Sequence, residues 1–211
     1  MKIAYKHLSN FLIDKPRIED ISKKLFQLGH EHEIKESIFD FEFTPNRGDC
    51  LSLLGLARDL NVFYKTNLEL SSYVQDIPKL DLNFLNNVKN KCPTIYFLNI
   101  EIENTPENYK NYLDDYFKDL KLNKKNFFTD ISNYVAYEMG QPTHCYDFEL
   151  IDRDIILTDN VNQDNFETLL GNKIKLDQPD LVFINNDKVI NLAGVVGSIE
   201  TSCSNKTRNV L

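Results

Sequence analysis

Ser132, Asn133 and His144 are the residues whose types and spacing best suit chemistry. They fall in Asp130-Ile131-Ser132-Asn133-Tyr134-Val135 and in Gly140-Gln141-Pro142-Thr143-His144. The Ser132-Asn133 pair heads a short apolar-periodic run, Gly140 stops it, and Pro142 holds the chain extended before His144. A hydroxyl, an amide and an imidazole brought together by a helix and the turn after it can hold a water or a small polar substrate. Each alone has a plainer reading. Serine and asparagine are ordinary helix-start residues, and a lone histidine is more often structural than catalytic. The chain has no Gly-x-Ser-x-Gly nucleophile motif and no His-x-x-x-His metal helix.

Two further segments carry unusual residues. Ala193-Gly194-Val195-Val196-Gly197-Ser198 lacks the lysine of a phosphate loop and the third glycine of a dinucleotide fingerprint. It is either a tight turn between strands or a wall where backbone must approach a ligand closely, and spacing does not decide between them. Thr44-Pro45-Asn46-Arg47-Gly48-Asp49 is a dense cluster of turn residues. It reads first as a structural turn in which Arg47 pairs with Asp49 and Asn46 bonds to backbone, and only second as a binding loop.

The elements that position these residues follow from periodicity. Ile18, Ile21, Leu25 and Leu28 mark one helix face, with Pro16 before it and Gly29 after it. Ile38–Phe43 predicts a strand. A helix is expected from Asp49 to about Tyr64, capped by Asp49 or Ser52, with Leu53, Leu56, Ala57, Leu60 and Phe63 on one face. Ile95–Ile102 is a strand candidate, and a helix is expected over about Glu107–Leu122, with Thr105-Pro106 at its start. Its broad face carries Tyr109, Tyr112, Leu113, Tyr116, Phe117 and Leu120. After His144, short runs at Asp154–Leu157, Phe166–Leu169, Leu181–Ile184 and Lys188–Leu192 alternate with turn residues and predict antiparallel hairpins. The chain therefore reads as α+β: a small helical domain over 1–72, a connection over 73–81, and a mixed domain over 82–211 with a largely antiparallel sheet.

Composition narrows the class. The 211 residues include 14 Phe and 10 Tyr, enough for a real core, and the net charge of -8 makes a poor stand-alone binder of nucleic acid. The best local basic patch, Lys118, Lys121, Lys124 and Lys125, reads first as a solvated helix end. Cys50, Cys92, Cys145 and Cys203 are scattered, which argues against a zinc knuckle and a disulfide framework; core or incidental thiols in a reducing cytosol are expected, and no metal site. No secretory leader and no apolar run near the spanning length is apparent, so a cytoplasmic chain without a membrane segment is expected.

Several motifs resemble those of one family, the bacterial phenylalanyl-tRNA synthetase beta subunit, in its N-terminal part. Thr44-Pro45-Asn46-Arg47-Gly48-Asp49-Cys50 matches that family's Thr-Pro-Asn-Arg-Gly-Asp-Cys. Asp130-Ile131-Ser132-Asn133-Tyr134-Val135 is similar to its Asp-x-Thr-Asn-Tyr-Val, and Gly140-Gln141-Pro142-Thr143-His144 to its Gly-Gln-Pro-Met-His. Leu192-Ala193-Gly194-Val195-Val196-Gly197 resembles its Leu-Ala-Gly-Val-Met-Gly, and Thr207-Arg208-Asn209-Val210-Leu211 its Thr-x-Asn-Val-Leu. The motifs occur in family order.

The resemblance implies that 82–211 is an editing domain, which hydrolyses tyrosine wrongly attached to the phenylalanine tRNA. On that reading His144, Asn133 and Ser132 are catalytic, and Ala193, Gly194 and Gly197 form the wall that admits the tyrosyl ring. It also implies a synthetase alpha subunit, a second beta subunit and tRNA(Phe) as partners. No cofactor is expected here, since ATP and magnesium belong to the aminoacylation site on the alpha subunit. The chain departs from the family in four places. Ser132 replaces threonine, Ser198 replaces a glycine, and the tRNA-binding insertion expected near Glu33–Ile38 is absent. The chain also stops at Leu211, two residues before the position of the family's glutamate that reads the tyrosine hydroxyl, as a fragment would. These departures keep an alternative open: a non-catalytic architectural or tRNA-docking fragment of the synthetase.

Overall fold

The computed structural model describes residues 1–68, 74–106 and 108–211, without the Asp164 side chain. The expected end of the first domain at 72, the start of the connection at Tyr73 and the expected helix start at Glu107 lie outside the described residues. The structure is mixed α and β, with mostly antiparallel pairing. It divides into two compact units that are not contiguous in sequence. The first takes Met1–Val74, Glu107–Lys124 and Asp130–Thr143; the second takes Gln75–Pro106, Lys125–Thr129 and His144–Leu211. Two later segments, 107–124 and 130–143, thus cluster with the first unit, unlike the contiguous 1–72 and 82–211 division.

The first unit begins with β1 (Lys2–Ala4), α1 (Tyr5–Ser9) and α2 (Ile18–Gln27). Ile21 and Leu25 of α2 are fully buried, and Gly29, at φ +83°, ends the helix in the left-handed region. Strands β2 (Glu31–Lys35) and β3 (Ile38–Glu42) form an antiparallel hairpin, and β1 adds to its other edge to give the order β1-β3-β2. The unit is therefore not purely helical. Next comes α3 (Leu53–Leu60), whose cap is Ser52: its Oγ accepts from Gly55 N at 3.0 Å. Asp49 instead lies in a short 3-10 turn, Gly48–Cys50. Because α3 ends at Leu60, Phe63 leaves the apolar face and is 38% exposed, with Lys24 Nζ 4.5 Å from its ring centre.

Helix α4 (Asn111–Asp119) is shorter than expected. Its cap position is Lys110 rather than Thr105, and Tyr112 turns outward at 53% exposure while Leu113, Tyr116 and Phe117 are buried. Helix α5 (Phe127–Met139) contributes Tyr137 to the same core, alongside Ile3, Leu8, Phe39, Leu56 and Leu60.

The second unit is built on a five-stranded sheet. The strands of this unit are β4 (Asn83–Asn86), β5 (Ile100–Glu101), β6 (Asp154–Thr158), β7 (Gln163–Glu167), β8 (Lys173–Leu176), β9 (Val182–Asn185), β10 (Lys188–Leu192), β11 (Val196–Gly197) and β12 (Asn209–Val210). The main sheet has the order β11-β10-β9-β6-β4. β9 and β10 form the predicted hairpin, and Asn186 and Asp187 supply its two left-handed turn positions at φ +50° and +58°. β7 and β8 form the other hairpin. The sheet's exception is β4, which pairs parallel to β6. The expected strand over Ile95–Ile102 contracts to β5, which pairs with β12. Among the described residues no helix is long and apolar enough to cross a membrane.

Candidate functional site

The backbone around His144 is held by pairing on both sides. Tyr146 exchanges two hydrogen bonds with Leu211, at 2.8 and 3.0 Å, and Phe148 N donates to Asn209 O at 3.0 Å. On the other side Tyr146 bridges Ser202, and Asp147 N donates to Thr201 O at 3.1 Å. Asp147 is buried and accepts a hydrogen bond from Thr207 Oγ1, which ties the segment to the start of the last motif. This link depends on the folded path of the chain, and nothing in the spacing announced it.

His144 presents its ring from this braced segment. The ring meets Tyr146 edge-on, with centroids 4.5 Å apart. It also lies directly against Gly197, where a Cβ would fall 2.2 Å from Cε1 and 2.5 Å from Nε2. That is far inside contact distance, so Gly197 is glycine because the imidazole takes the space of a side chain. The loop is a turn between strands, and the group that lies against its backbone is the chain's own His144 ring. Gly194 has a different reason to be glycine: φ is +75° and nothing lies within 4 Å of its Cβ position. It makes the turn between β10 and β11, with Ala193 N bonded to Leu181 O at 2.8 Å.

Burial sets the chemistry of His144. It lowers the imidazole to about 4, so the ring is neutral near pH 7. Nε2 is buried and has no hydrogen-bond partner among the described residues. In either tautomer that nitrogen offers a donor or an acceptor. Leaving it unmade costs about 1–3 kcal/mol, which a water or ligand group can recover. Ser198 is buried, and its Oγ accepts from Glu200 N at 3.1 Å. Its hydroxyl thus caps the short turn Ile199–Thr201.

Ser132 and Asn133 sit on α5 in the first unit. Ser132 Oγ donates to Thr143 O at 2.9 Å and lies 2.7 Å from Thr143 Oγ1, so it fastens the helix to the extended segment after Gly140. Asn133 is exposed and lines a hollow of about 370 Å³ with Met1, Lys2, Tyr116, Leu122 and Tyr137, all of its own unit. Gly197 and Gly194 belong with His144 to the second unit.

The Thr44–Cys50 turn carries the expected pair: Arg47 Nε donates to Asp49 Oδ1 at 3.0 Å. The same guanidinium reaches Asp59 and lies 2.7 Å from Cys50 Sγ, while His30 Nε2 is 2.9 Å from Asp59. His30, Cys50 and Asp59 have the donor types of a metal site, within 4.8 Å of one another. Arg47 supplies a cation to this group, and burial pushes the Cys50 thiol up to about 12. Of the basic patch, Lys121 pairs with Glu36 at 2.6 Å, and Lys124 pairs with Asp114 and lies 4.4 Å from the Tyr109 ring centre.

Residues 91–211 match the B3/4 domain, and the chain belongs to that family. The relatives bear out the motif resemblance. The chain is similar to the phenylalanine--tRNA ligase beta subunit of Fusobacterium nucleatum, 28% identical over 185 residues, covering 84% of this chain and 23% of that protein. It is likewise similar to that of Francisella tularensis, 28% identical over 207 residues (96% and 25%), and of Blochmanniella floridana, 32% identical over 194 residues (83% and 22%). The chain thus spans about a quarter of the length of these curated relatives. Among solved structures, an N-terminal fragment of the phenylalanyl-tRNA synthetase beta subunit from Pyrococcus horikoshii aligns over all of this chain and 66% of its own. Its identity is 14% and its TM-score 0.45, too distant to locate a site.

Proposed function

We propose that this chain is the proofreading part of a phenylalanine-tRNA ligase beta subunit and hydrolyses tyrosine from mis-acylated tRNA(Phe). One observation carries the reading: a neutral His144 with an unpartnered Nε2, seated on Gly197. Such a nitrogen can hold the attacking water or relay its proton without first losing a charge. A synthetase needs this activity because an apolar pocket for phenylalanine rejects an added hydroxyl by only about a hundredfold. The transition state is an oxyanion, so positioned donors matter more than a strong base.

By the motif resemblance Asn133 brings an amide and Ser132 a hydroxyl to the reaction, and Ala193, Gly194 and Gly197 form the wall beside the tyrosyl ring. Hydrolysis of this kind needs no cofactor from the chain; ATP and magnesium serve the alpha subunit's own reaction. The partners are tRNA(Phe), the alpha subunit and a second beta subunit, in the cytoplasm.

The test compares release of tyrosine and of phenylalanine from charged tRNA(Phe). Tyrosine is expected to leave faster, and His144→Ala to slow its release by tenfold or more. Equal release of both amino acids, or an unchanged rate in the variant, removes the hydrolytic reading and leaves the non-catalytic docking fragment.

A further inference from the structure

We propose that Cys145 and Cys203 form a reversible disulfide that couples the His144 site to the thiol redox state. The register places the two cysteines together. Tyr146 bridges Ser202 antiparallel, and Asp147 N donates to Thr201 O, so one step further along the same register sets Cys145 opposite Cys203. Directly opposed residues in an antiparallel pair have Cα atoms about 4.5–5.5 Å apart, inside the span of roughly 4.4–6.8 Å that a disulfide accepts. Opposed side chains share one face, and both cysteines pack in one cluster with Phe128 and Val210. Cys203 Sγ donates to Cys145 O at 3.5 Å, across the pair, while Cys145 Sγ donates to Phe128 O at 3.6 Å and turns from it to close the bond. Both are thiols in this structure. Cys92, also in the second unit, points to its own loop, with Sγ 4.0 Å from Thr94 O.

The step balances with a small-molecule disulfide such as oxidised glutathione as oxidant. Cys145 is the more exposed of the two and takes the first exchange, releasing one glutathione thiol and leaving a mixed disulfide. Cys203 then attacks Cys145 Sγ, loses its proton to solvent and expels the second glutathione. Burial holds the Cys203 thiol up at about 12, so ring closure is slow at neutral pH and quickens as pH rises. His144 precedes Cys145 and its ring packs against Gly197, so the bond closes one residue from the imidazole and changes that ring's surroundings. The disulfide stands on the register alone; its effect on hydrolysis rests on the proposed function.

The experiment treats the whole chain with oxidised glutathione, blocks remaining thiols and maps tryptic peptides. The expected product joins peptide 126–153 to peptide 189–206, about 2 Da lighter than the two thiol peptides together. Its formation rate should rise about tenfold per pH unit between pH 7 and 9. Cys145→Ser and Cys203→Ser should each abolish it, Cys92→Ser should not, and the untreated wild-type map guards against a variant that misfolds. A glutathione adduct that persists on Cys145, or a link through Cys92, overturns the pairing. On oxidation the His144 ring resonance should shift, return with dithiothreitol, and tyrosine release should fall tenfold or more. An unmoved resonance overturns the coupling. If the resonance shifts but the reduced chain never releases tyrosine, the proposed function fails and the disulfide stands.

Discussion

His144 is uncharged at pH 7 because its surroundings cannot solvate an imidazolium, and this makes its protonation a stability term. The folded chain holds the group at about 4, against an ordinary value near 6.5. Between those values the unfolded chain takes up a proton that the folded chain refuses, so falling pH favours unfolding. The contribution is whole above about pH 6.5 and is lost as the pH falls toward 4. The gap corresponds to about 3 kcal/mol by linkage. His7 and His32 are also lowered by burial and act in the same direction, so wild type alone does not isolate the effect. Urea unfolding of wild type and His144→Gln at pH 7 and pH 4 does. Wild type should lose about 3 kcal/mol relative to the variant over that interval. A constant difference would mean that the ring is solvated.

At the scale of elements, α3 shows packing overruling propensity. Alanine in place of glycine inside a helix ordinarily gains about 1 kcal/mol. At Gly55, however, an added Cβ would fall 1.9 Å from the carbonyl oxygen of Asp49 and 3.0 Å from Ser52 Oγ. The obstacle is backbone, in the turn that Arg47 and Arg58 brace through Asp49. Gly55→Ala is therefore expected to lower stability by about 2 kcal/mol or more despite its propensity gain, since overpacking typically costs 1–3 kcal/mol and backbone yields less than a side chain. Thermal unfolding of the variant checks the sign, and a rise in midpoint would refute it.

What the sequence made legible follows the same division between local and distant causes. Local signals narrow the α3 cap to Asp49 or Ser52, and the α2 face and the Asn186-Asp187 turn were readable because each is settled within a few residues. Strand β4 was not, because Asn83-Phe84-Leu85-Asn86 is short and half polar and becomes a strand by pairing with β6, far along the chain. Ile95–Ile102 looked like a strand, but only the two residues opposite Asn209 and Val210 pair as one. In the candidate site, His144 and Gly197 stood out through their motifs. The unpartnered Nε2 and the Thr207–Asp147 tie did not, since both arise where distant segments meet.

The whole molecule differs from its reading as two successive domains in one respect with a large energetic consequence. The core of the first unit draws Leu113, Tyr116 and Phe117 from α4 and Tyr137 from α5, all buried, into contact with residues of the first seventy. Tyr137 also supplies polar closure: its hydroxyl accepts from Ala4 N at 3.3 Å and lies 3.0 Å from His7 Nδ1, while Asp119 meets the other nitrogen of His7 at 3.1 Å. Full burial of a large apolar side chain contributes about 1.5–3 kcal/mol, so four such residues supply roughly 6–12 kcal/mol. That is comparable to the whole stability of an ordinary domain, about 5–15 kcal/mol. A peptide of residues 1–74 would lose all of it and would expose Ile3, Leu8 and the β1 strand face to water. It should show no cooperative urea transition, whereas the full chain should, and circular dichroism distinguishes the two. A sharp transition for 1–74 at the midpoint of the full chain would show that α4 and α5 decorate a core already complete without them.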